Sequence, residues 1–366
     1  MLANGRRIGA HLPLGEGMVK AADRAAEIGA SAIQVFTDNP TAWRRRPTLP
    51  DELPAFRARL AAHDIAPIAI HAPYLINLAG PEPAFYDQSI VVLANELRVA
   101  RAYGARFVNV HVGSHRDAGP EAGVARLADA LAHVLALDDA AGNGGDESDN
   151  DGDQPATPLL VLENGSGGGF GLGARIEELA GIEAATSAVG VGPDRFGYCL
   201  DTAHLWGAGY PIDTAEGVDA VIDAFHAALG IDRLVMIHLN DSRSELGSLA
   251  DRHEHVGAGR IGGAGLARML THPALGHVVY MLETPGMGDG YDAVNIARAK
   301  ALAAGEPIGD LPPEAFATRS AKGRSAPADP EGNDPTVIAL AKAQRPRRTP
   351  RPTTTTQTLQ TPPARD

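Results

Sequence analysis

The chain has 366 residues, 44% of them hydrophobic, enough for one large domain or two ordinary ones around a sizeable core. Its formal charge of −13 excludes simple bulk attraction to nucleic acid or to an anionic membrane, so any anion-binding site has to be made locally. A single cysteine, Cys199, excludes an intrachain disulfide; with no apolar leader and no run near the roughly 20 residues of a membrane span, a cytoplasmic protein without membrane contact is expected.

Short apolar runs alternate with longer amphipathic segments along the chain. Strands are predicted over residues 8–11, 32–36, 67–71, 107–112, 159–164, 196–201, 234–239 and 278–283. Helical segments fall between them, at 18–28, 83–103, 121–137, 174–187, 216–229, 265–270 and 291–304, several stopping at a glycine such as Gly29 or Gly104. Eight such units predict an α/β protein with a closed (β/α)8 TIM barrel as one domain over residues 1–317, with an open doubly wound sheet as second choice. Two segments stand outside the alternation. Residues 139–157 are rich in Gly, Asn and acids and are expected to form a disordered insertion. Residues 318–366 are rich in Pro, Thr and basic residues, with nine Lys/Arg against four acids from Arg319 onward, and are expected to be a disordered, solvated tail, a nucleic-acid or partner arm being the alternative.

In a barrel the chemistry belongs at the carboxyl ends of the strands. There the third strand ends in His71, the fourth reaches His111 and the fifth ends in Glu163. The sixth ends in Asp201, with His204 three residues on; the seventh ends in His238, its loop adds Asp251 and His253, and the eighth ends in Glu283. A lone His or Glu at such a position is more often an ordinary hydrogen-bonded residue than a ligand. Six consecutive strands delivering them to one face is different, because four converging carboxylates would repel one another and take up protons unless cations collect them. Five imidazoles and four carboxylates without a thiolate suit zinc, with manganese or iron as competitors, and suit magnesium or calcium poorly. Nine ligands are too many for one ion. Three divalent ions would outweigh the four carboxylates and make a locally positive pocket, which suits a phosphodiester.

The stretches HAPYLINLAGP from His71, VNVHVGSH from Val108, VLENGSG from Val161, CLDTAH from Cys199, HLNDS from His238, DRHEHVGAGRIG from Asp251 and LETP from Leu282 resemble the endonuclease IV family of DNA-repair enzymes. The likeness runs in order over roughly residues 8–285. It implies a barrel with a trinuclear zinc cluster, monomeric, that cleaves double-stranded DNA on the 5′ side of abasic sites and leaves a 3′-hydroxyl, with possible trimming of 3′ ends. Carried over by position, His71, His111 and Glu163 hold one zinc. Glu163, Asp201, His238 and Glu283 hold a second, and His204, Asp251 and His253 a third. Either Glu163 or Glu283 would orient or deprotonate the attacking water. Tyr74 matches a tyrosine that the family uses near the distorted nucleotide. The family commonly has an arginine where this chain has Thr41, and Arg44, Arg45 and Arg46 follow as substitutes or phosphate contacts.

Rival readings rest on particular residues. Gly257, Gly259 and Gly262 spell GxGxxG, but no buried strand precedes them as a dinucleotide site requires. The glycine-rich run from Gly165 lacks the Lys-Ser/Thr of a phosphate loop. Cys199, two before Asp201, reads as a small residue filling the barrel rather than a nucleophile. A single-metal sugar isomerase or epimerase needs only Glu163, Asp201, His238 and Glu283 and leaves the other five ligands without a role, and a DNA-binding module without catalysis would need lost ligands.

Overall fold

A computed structural model describes residues 1–142 and 157–317 of the chain. Seven strands, β1 (Ile8–His11), β2 (Ala32–Val35), β3 (Ile68–His71), β4 (Phe107–His111), β5 (Leu159–Glu163), β6 (Phe196–Asp201) and β7 (Leu234–His238), form most of a parallel barrel. The two-residue strands β8 (Asp241–Ser242) and β9 (His253–Glu254) pair outside it, and β10 (Val279–Leu282) closes it between β7 and β1. The helices are α1 (Met18–Glu27), α2 (Leu53–Ala62), α3 (Pro83–Tyr103), α4 (Pro120–Gly142), α5 (Ile176–Ala188), α6 (Thr202–Gly207), α7 (Ala215–Leu229), α8 (Gly262–Thr271), α9 (Tyr291–Ala304) and α10 (Pro313–Ala317). The expected (β/α)8 barrel is therefore the observed one. Among the described residues no helix is long and apolar enough to cross a membrane.

Alternation along each strand builds two cores. Outward-facing Ile33, Ile70, Val108, Leu162 and Leu200 pack against the helices in the larger one. Inside the barrel Ala32, Ala69, Phe107, Val161, Cys199, Met236, Val279 and Met281 make a separate plug, so Cys199 is the filler expected of it. Because side chains on a strand repeat every two residues, the next inward position toward each strand's carboxyl end lies above that plug. Gly9 is followed by His11, Ala32 by Gln34, Ala69 by His71, Phe107 by Asn109 and His111, Val161 by Glu163, Cys199 by Asp201, Met236 by His238, and Met281 by Glu283. Registers such as His111 opposite Glu163 and Asp201 opposite His238 hold that polar layer level. Closure is tight at Gly9, where an added Cβ would lie 2.3 Å from Ala32 O on the neighbouring strand.

Departures from expectation are local. Helix α4 continues through Gly142 instead of stopping before 139, because its last acids have partners: Asp138 binds Arg101 and Asp139 accepts from Arg195 at 2.7 Å. The rest of the expected insertion, 143–156, and the tail from 318 lie outside the described residues. Helix α2 is not among the predicted segments, although it buries Leu53, Phe56 and Leu60 at helical spacing, whereas α6, α10 and the pair β8–β9 are too short to show a period.

Candidate metal centre

The nine expected side chains converge at the carboxyl end of the barrel. Glu163, Asp201 and His238 form a floor with no solvent exposure, whereas His111, Asp251, His253 and Glu283 at the mouth keep 13–18% of their side-chain surface exposed. Three groups have all their ligand atoms within 4.8 Å of one another: His71, His111 and Glu163; Glu163, Asp201, His238 and Glu283; and Asp201, His204 and His253. Glu163 and Asp201 each belong to two groups, so the three sites are contiguous. Asp251 faces the third, with Oδ1 3.1 Å from His253 Nε2 and Oδ2 3.3 Å from His204 Nε2.

Helix α6 is set by the first of these acids. Asp201 caps it, its carboxylate accepting the His204 N–H at 2.9 Å, which turns His204 back over the barrel. The loop carrying Asp251 and His253 is held by β9 pairing with β8, Ser242 opposite His253.

Hydrogen bonds on the far ring nitrogens orient the imidazoles. Nδ1 of His71, His204 and His253 lies 2.7, 2.8 and 3.0 Å from the carbonyls of Ala72, Asn164 and Glu283, so each Nδ1 is the donor and each Nε2 points inward. His238 is reversed: Nε2 donates to Gln34 Oε1 at 3.1 Å, leaving Nδ1 toward the Glu163 carboxylate, also at 3.1 Å. His253 Nε2 is buried without a hydrogen-bond partner, although carboxylate oxygens of Asp251 and Asp201 lie 3.1 and 3.5 Å away. A buried ring nitrogen set among carboxylate oxygens, with its partner nitrogen fixed by a carbonyl, has the placement a cation ligand needs. The donor set therefore fits divalent metal.

Electrostatics carries the same message. Burial works against charge throughout the cluster, yet His204 is held well above the usual imidazole range by Asp201 and Asp251, and His253 is pushed up to about 10 by Asp251 and Asp201. Glu163 is held well below the usual carboxylate range, its burial outweighed by His111 and His238. His111, with less carboxylate near it, is lowered by burial to about 4. Protons on imidazoles thus balance the carboxylates, the role that cations take when bound.

Residues outside the ligand set complete the frame. Gln34 Nε2 donates to Glu283 Oε1 at 2.6 Å, and His11 Nδ1 lies 3.3 Å from the same oxygen. Asn109 donates to Glu163, Asn240 Nδ2 donates to Asp201 Oδ2 at 2.7 Å, and Asn164 Oδ1 accepts the Asp201 N–H at 2.7 Å. Sequence reasoning missed all five. Their signal was present in His11, Gln34 and Asn109, polar residues at the inward position of strands whose neighbours are apolar.

Tyr74 sits beside the cluster, its ring 5.6 Å from His71 and 5.1 Å from Phe36. Burial, with Glu283, Asp251 and Glu163 nearby, raises its phenol well above the ordinary value and keeps it a neutral donor. The three arginines after β2 differ. Arg45 turns inward to the buried Glu96 at 3.5 Å and to the Asn39 and Ala42 carbonyls. Arg46 is exposed and pairs with Asp38 at 2.7 Å, and Arg44 is exposed. Thr41, also exposed, bonds to Asn39 Oδ1 at 2.8 Å.

The GxGxxG segment wraps a carboxylate of its own chain. Asp241 accepts N–H groups from Ser242, Gly259, Ile261 and Gly262 at 2.7–3.1 Å, and a Cβ at Gly259 would lie 2.5 Å from its Oδ1. The donors that a nucleotide phosphate would use at the start of α8 are already taken.

Comparison with known proteins agrees with this geometry. Residues 22–305 match the family described as Xylose isomerase-like TIM barrel. A protein of Methanoculleus marisnigri named "Probable endonuclease 4" is 38% identical over 296 residues, covering 81% of this chain and 98% of that one. The crystal structure of endonuclease IV from Thermus thermophilus aligns with a TM-score of 0.67 at 36% identity, over 82% of this chain and 99% of that one. A D-tagatose 3-epimerase-like protein aligns with a TM-score of 0.56 over 80% of this chain and 94% of that one, but at 16% identity the likeness is one of fold alone.

Proposed function

Since the chain belongs to the endonuclease 4 family among the xylose isomerase-like TIM barrels, we propose that it hydrolyses double-stranded DNA on the 5′ side of abasic sites, leaving a 3′-hydroxyl. The observation that carries this reading is the contiguity of three ligand groups through Glu163 and Asp201. A one-metal sugar isomerase or epimerase uses one group and gives no role to His71, His111, His204, Asp251 and His253.

In this proposal His71, His111 and Glu163 hold one zinc ion, Glu163, Asp201, His238 and Glu283 a second, and His204, Asp251 and His253 a third. When bound, such ions supply Lewis acidity, lower the pKa of water and neutralise charge at a phosphodiester. Glu163, without exposure and with His71, His111, His204 and His238 around its two oxygens, belongs to two ligand groups, would be shared between two ions and does not reach solvent. Glu283 stands at the mouth with one oxygen fixed by Gln34. It is the carboxylate we assign to orienting and deprotonating the water that attacks phosphorus in line. Neutral Tyr74 donates to the substrate near the missing base, and Arg44 and Arg46 contact backbone phosphate, which positions the duplex without reading sequence. Trimming of blocked 3′ ends needs the same attack at the same phosphorus.

The test is cleavage of an end-labelled duplex carrying one tetrahydrofuran abasic analogue, which cannot undergo β-elimination, with bound metal counted by elemental analysis of the same preparation. A 5′-side nick ending in a 3′-hydroxyl, with about three zinc per chain, is expected. No nick and one exchangeable divalent ion would transfer the assignment to sugar epimerisation.

A further inference from the structure

Four residues other than glycine hold a left-handed backbone among the described residues, and three of them lie on loops at the metal-bearing end of the barrel: Arg116 after β4 (φ 57°), Phe170 after β5 (φ 66°) and Leu249 in the segment between β8 and β9 (φ 58°). For a bulky apolar residue this conformation is unfavourable and persists only where the surroundings impose it. Both apolar members are also turned to solvent, Phe170 60% exposed and Leu249 51%. Phe170 is the one strongly exposed aromatic among the described residues. Neither folding nor the metal centre accounts for a strained backbone that presents apolar surface to water.

These loops are pinned. His115 N–H donates to Phe170 O at 3.1 Å, Ser114 Oγ to Gly169 O at 2.7 Å and Leu172 N–H to Gly113 O at 2.9 Å, while the His115 ring backs the Phe170 ring edge-on at 5.5 Å. Leu249 N–H donates to Gly207 O at 3.0 Å, Ser166 Oγ donates to Leu249 O at 3.3 Å, and a Cβ on Gly167 would touch Leu249 Cδ2 at 3.1 Å. The two loops therefore join below their exposed tips. Each also borders the centre: Gly165 follows Glu163 by two residues, and Leu249 precedes Asp251 by two.

We propose that Phe170, flanked by Leu249, is a fixed apolar wedge that stacks on the base left uncovered beside the missing nucleobase of an abasic duplex. The inference rests on the endonuclease reading above and adds to it a residue that discriminates damaged from intact DNA. An aromatic face stacks on any base, so such a wedge is indifferent to sequence. An intact duplex offers it no gap. Presenting the ring pre-ordered removes the cost of fixing it on binding, and the left-handed backbone is what aims it outward.

The experiment measures affinity for a tetrahydrofuran-containing duplex and for its intact counterpart, with 2-aminopurine flanking the lesion, using metal-loaded full-length protein and Phe170→Ala, Phe170→Gly and Phe170→Trp. Phe170→Ala and Phe170→Gly should weaken binding to the damaged duplex roughly 5- to 100-fold, leave the intact duplex unaffected and abolish the 2-aminopurine signal change. Phe170→Trp should restore both. Metal content should not change, and Phe170→Gly should melt at the same or a higher temperature than the parent, because glycine tolerates this φ. Unchanged binding to the damaged duplex, or equal loss on both duplexes, would overturn the wedge while leaving the nuclease intact. A parent protein that fails to nick the abasic duplex would overturn the endonuclease reading itself, and the wedge with it.

Discussion

Replacing Asp241 by asparagine should loosen the loop that brings Asp251 and His253 to the metal centre. The two oxygens of Asp241, a residue without solvent exposure, accept four backbone N–H groups, Ser242 and Ile261 on Oδ1 in a buried setting and Gly259 and Gly262 on Oδ2 in a partly buried one. Asparagine keeps one oxygen and turns an NH2 group toward the other pair of donors. Each orphaned buried N–H costs about 1–3 kcal/mol, so two cost roughly 2–6 kcal/mol. Burial raises the Asp241 carboxyl above its ordinary range and the four N–H groups offset only part of that, so a neutral side chain recovers some desolvation. The expected loss is then about 2–4 kcal/mol, or roughly 4–8 °C in Tm at about 2 °C per kcal/mol for a body of this size. Because β8 carries Asp241 and pairs with β9, metal on His204, Asp251 and His253 should be lost first. Differential scanning fluorimetry with and without chelator, beside elemental analysis, measures both effects. A Tm within about 2 °C of the parent and full metal content would refute the reasoning.

Other predictions bear on the centre directly. Glu283→Gln should lower the rate of nicking at least about 100-fold with little change in affinity for abasic duplex; turnover near the parent rate would remove Glu283 from the role assigned to it. Gln34→Leu removes the acceptor that holds His238 in its tautomer and the donor to Glu283, so metal affinity or activity should fall roughly 10- to 100-fold, read by competition with a chromogenic chelator. In metal-free protein His253 is raised to about 10 from an ordinary value of 6.5. Its contribution to stability is therefore complete below pH 6.5 and is lost as pH rises toward 10. The Tm of chelated protein should fall across that window, and that of the metal-loaded protein should fall less; a chelated protein that gains stability there would contradict the assignment.

What the amino-acid sequence determined by itself is the barrel and the nine His, Asp and Glu side chains gathered at its carboxyl end. Both follow from local rules: apolar runs long enough for a strand, a two-residue period, and a His, Asp or Glu at or just beyond a strand's carboxyl end, as Asp201 two positions after the plug residue Cys199 illustrates. The tertiary structure decided how those groups are shared. Glu163 and Asp201 serve two groups each because closing the barrel sets neighbouring strand ends within a few ångströms of one another, a relation that no spacing along the chain encodes. It also decided which polar residues support the ligands. Gln34 and Asn240 read as ordinary amides until His238 and Asp201 are found against them. Charge is ambiguous in the same way: Arg44, Arg45 and Arg46 are consecutive and alike, and only the packing of buried Glu96 turns the middle one inward. A GxGxxG motif, identical in letters to a nucleotide site, becomes a cradle for Asp241 because hydrogen-bond donors are satisfied by whatever acceptor the fold brings nearest, and here the chain brings its own.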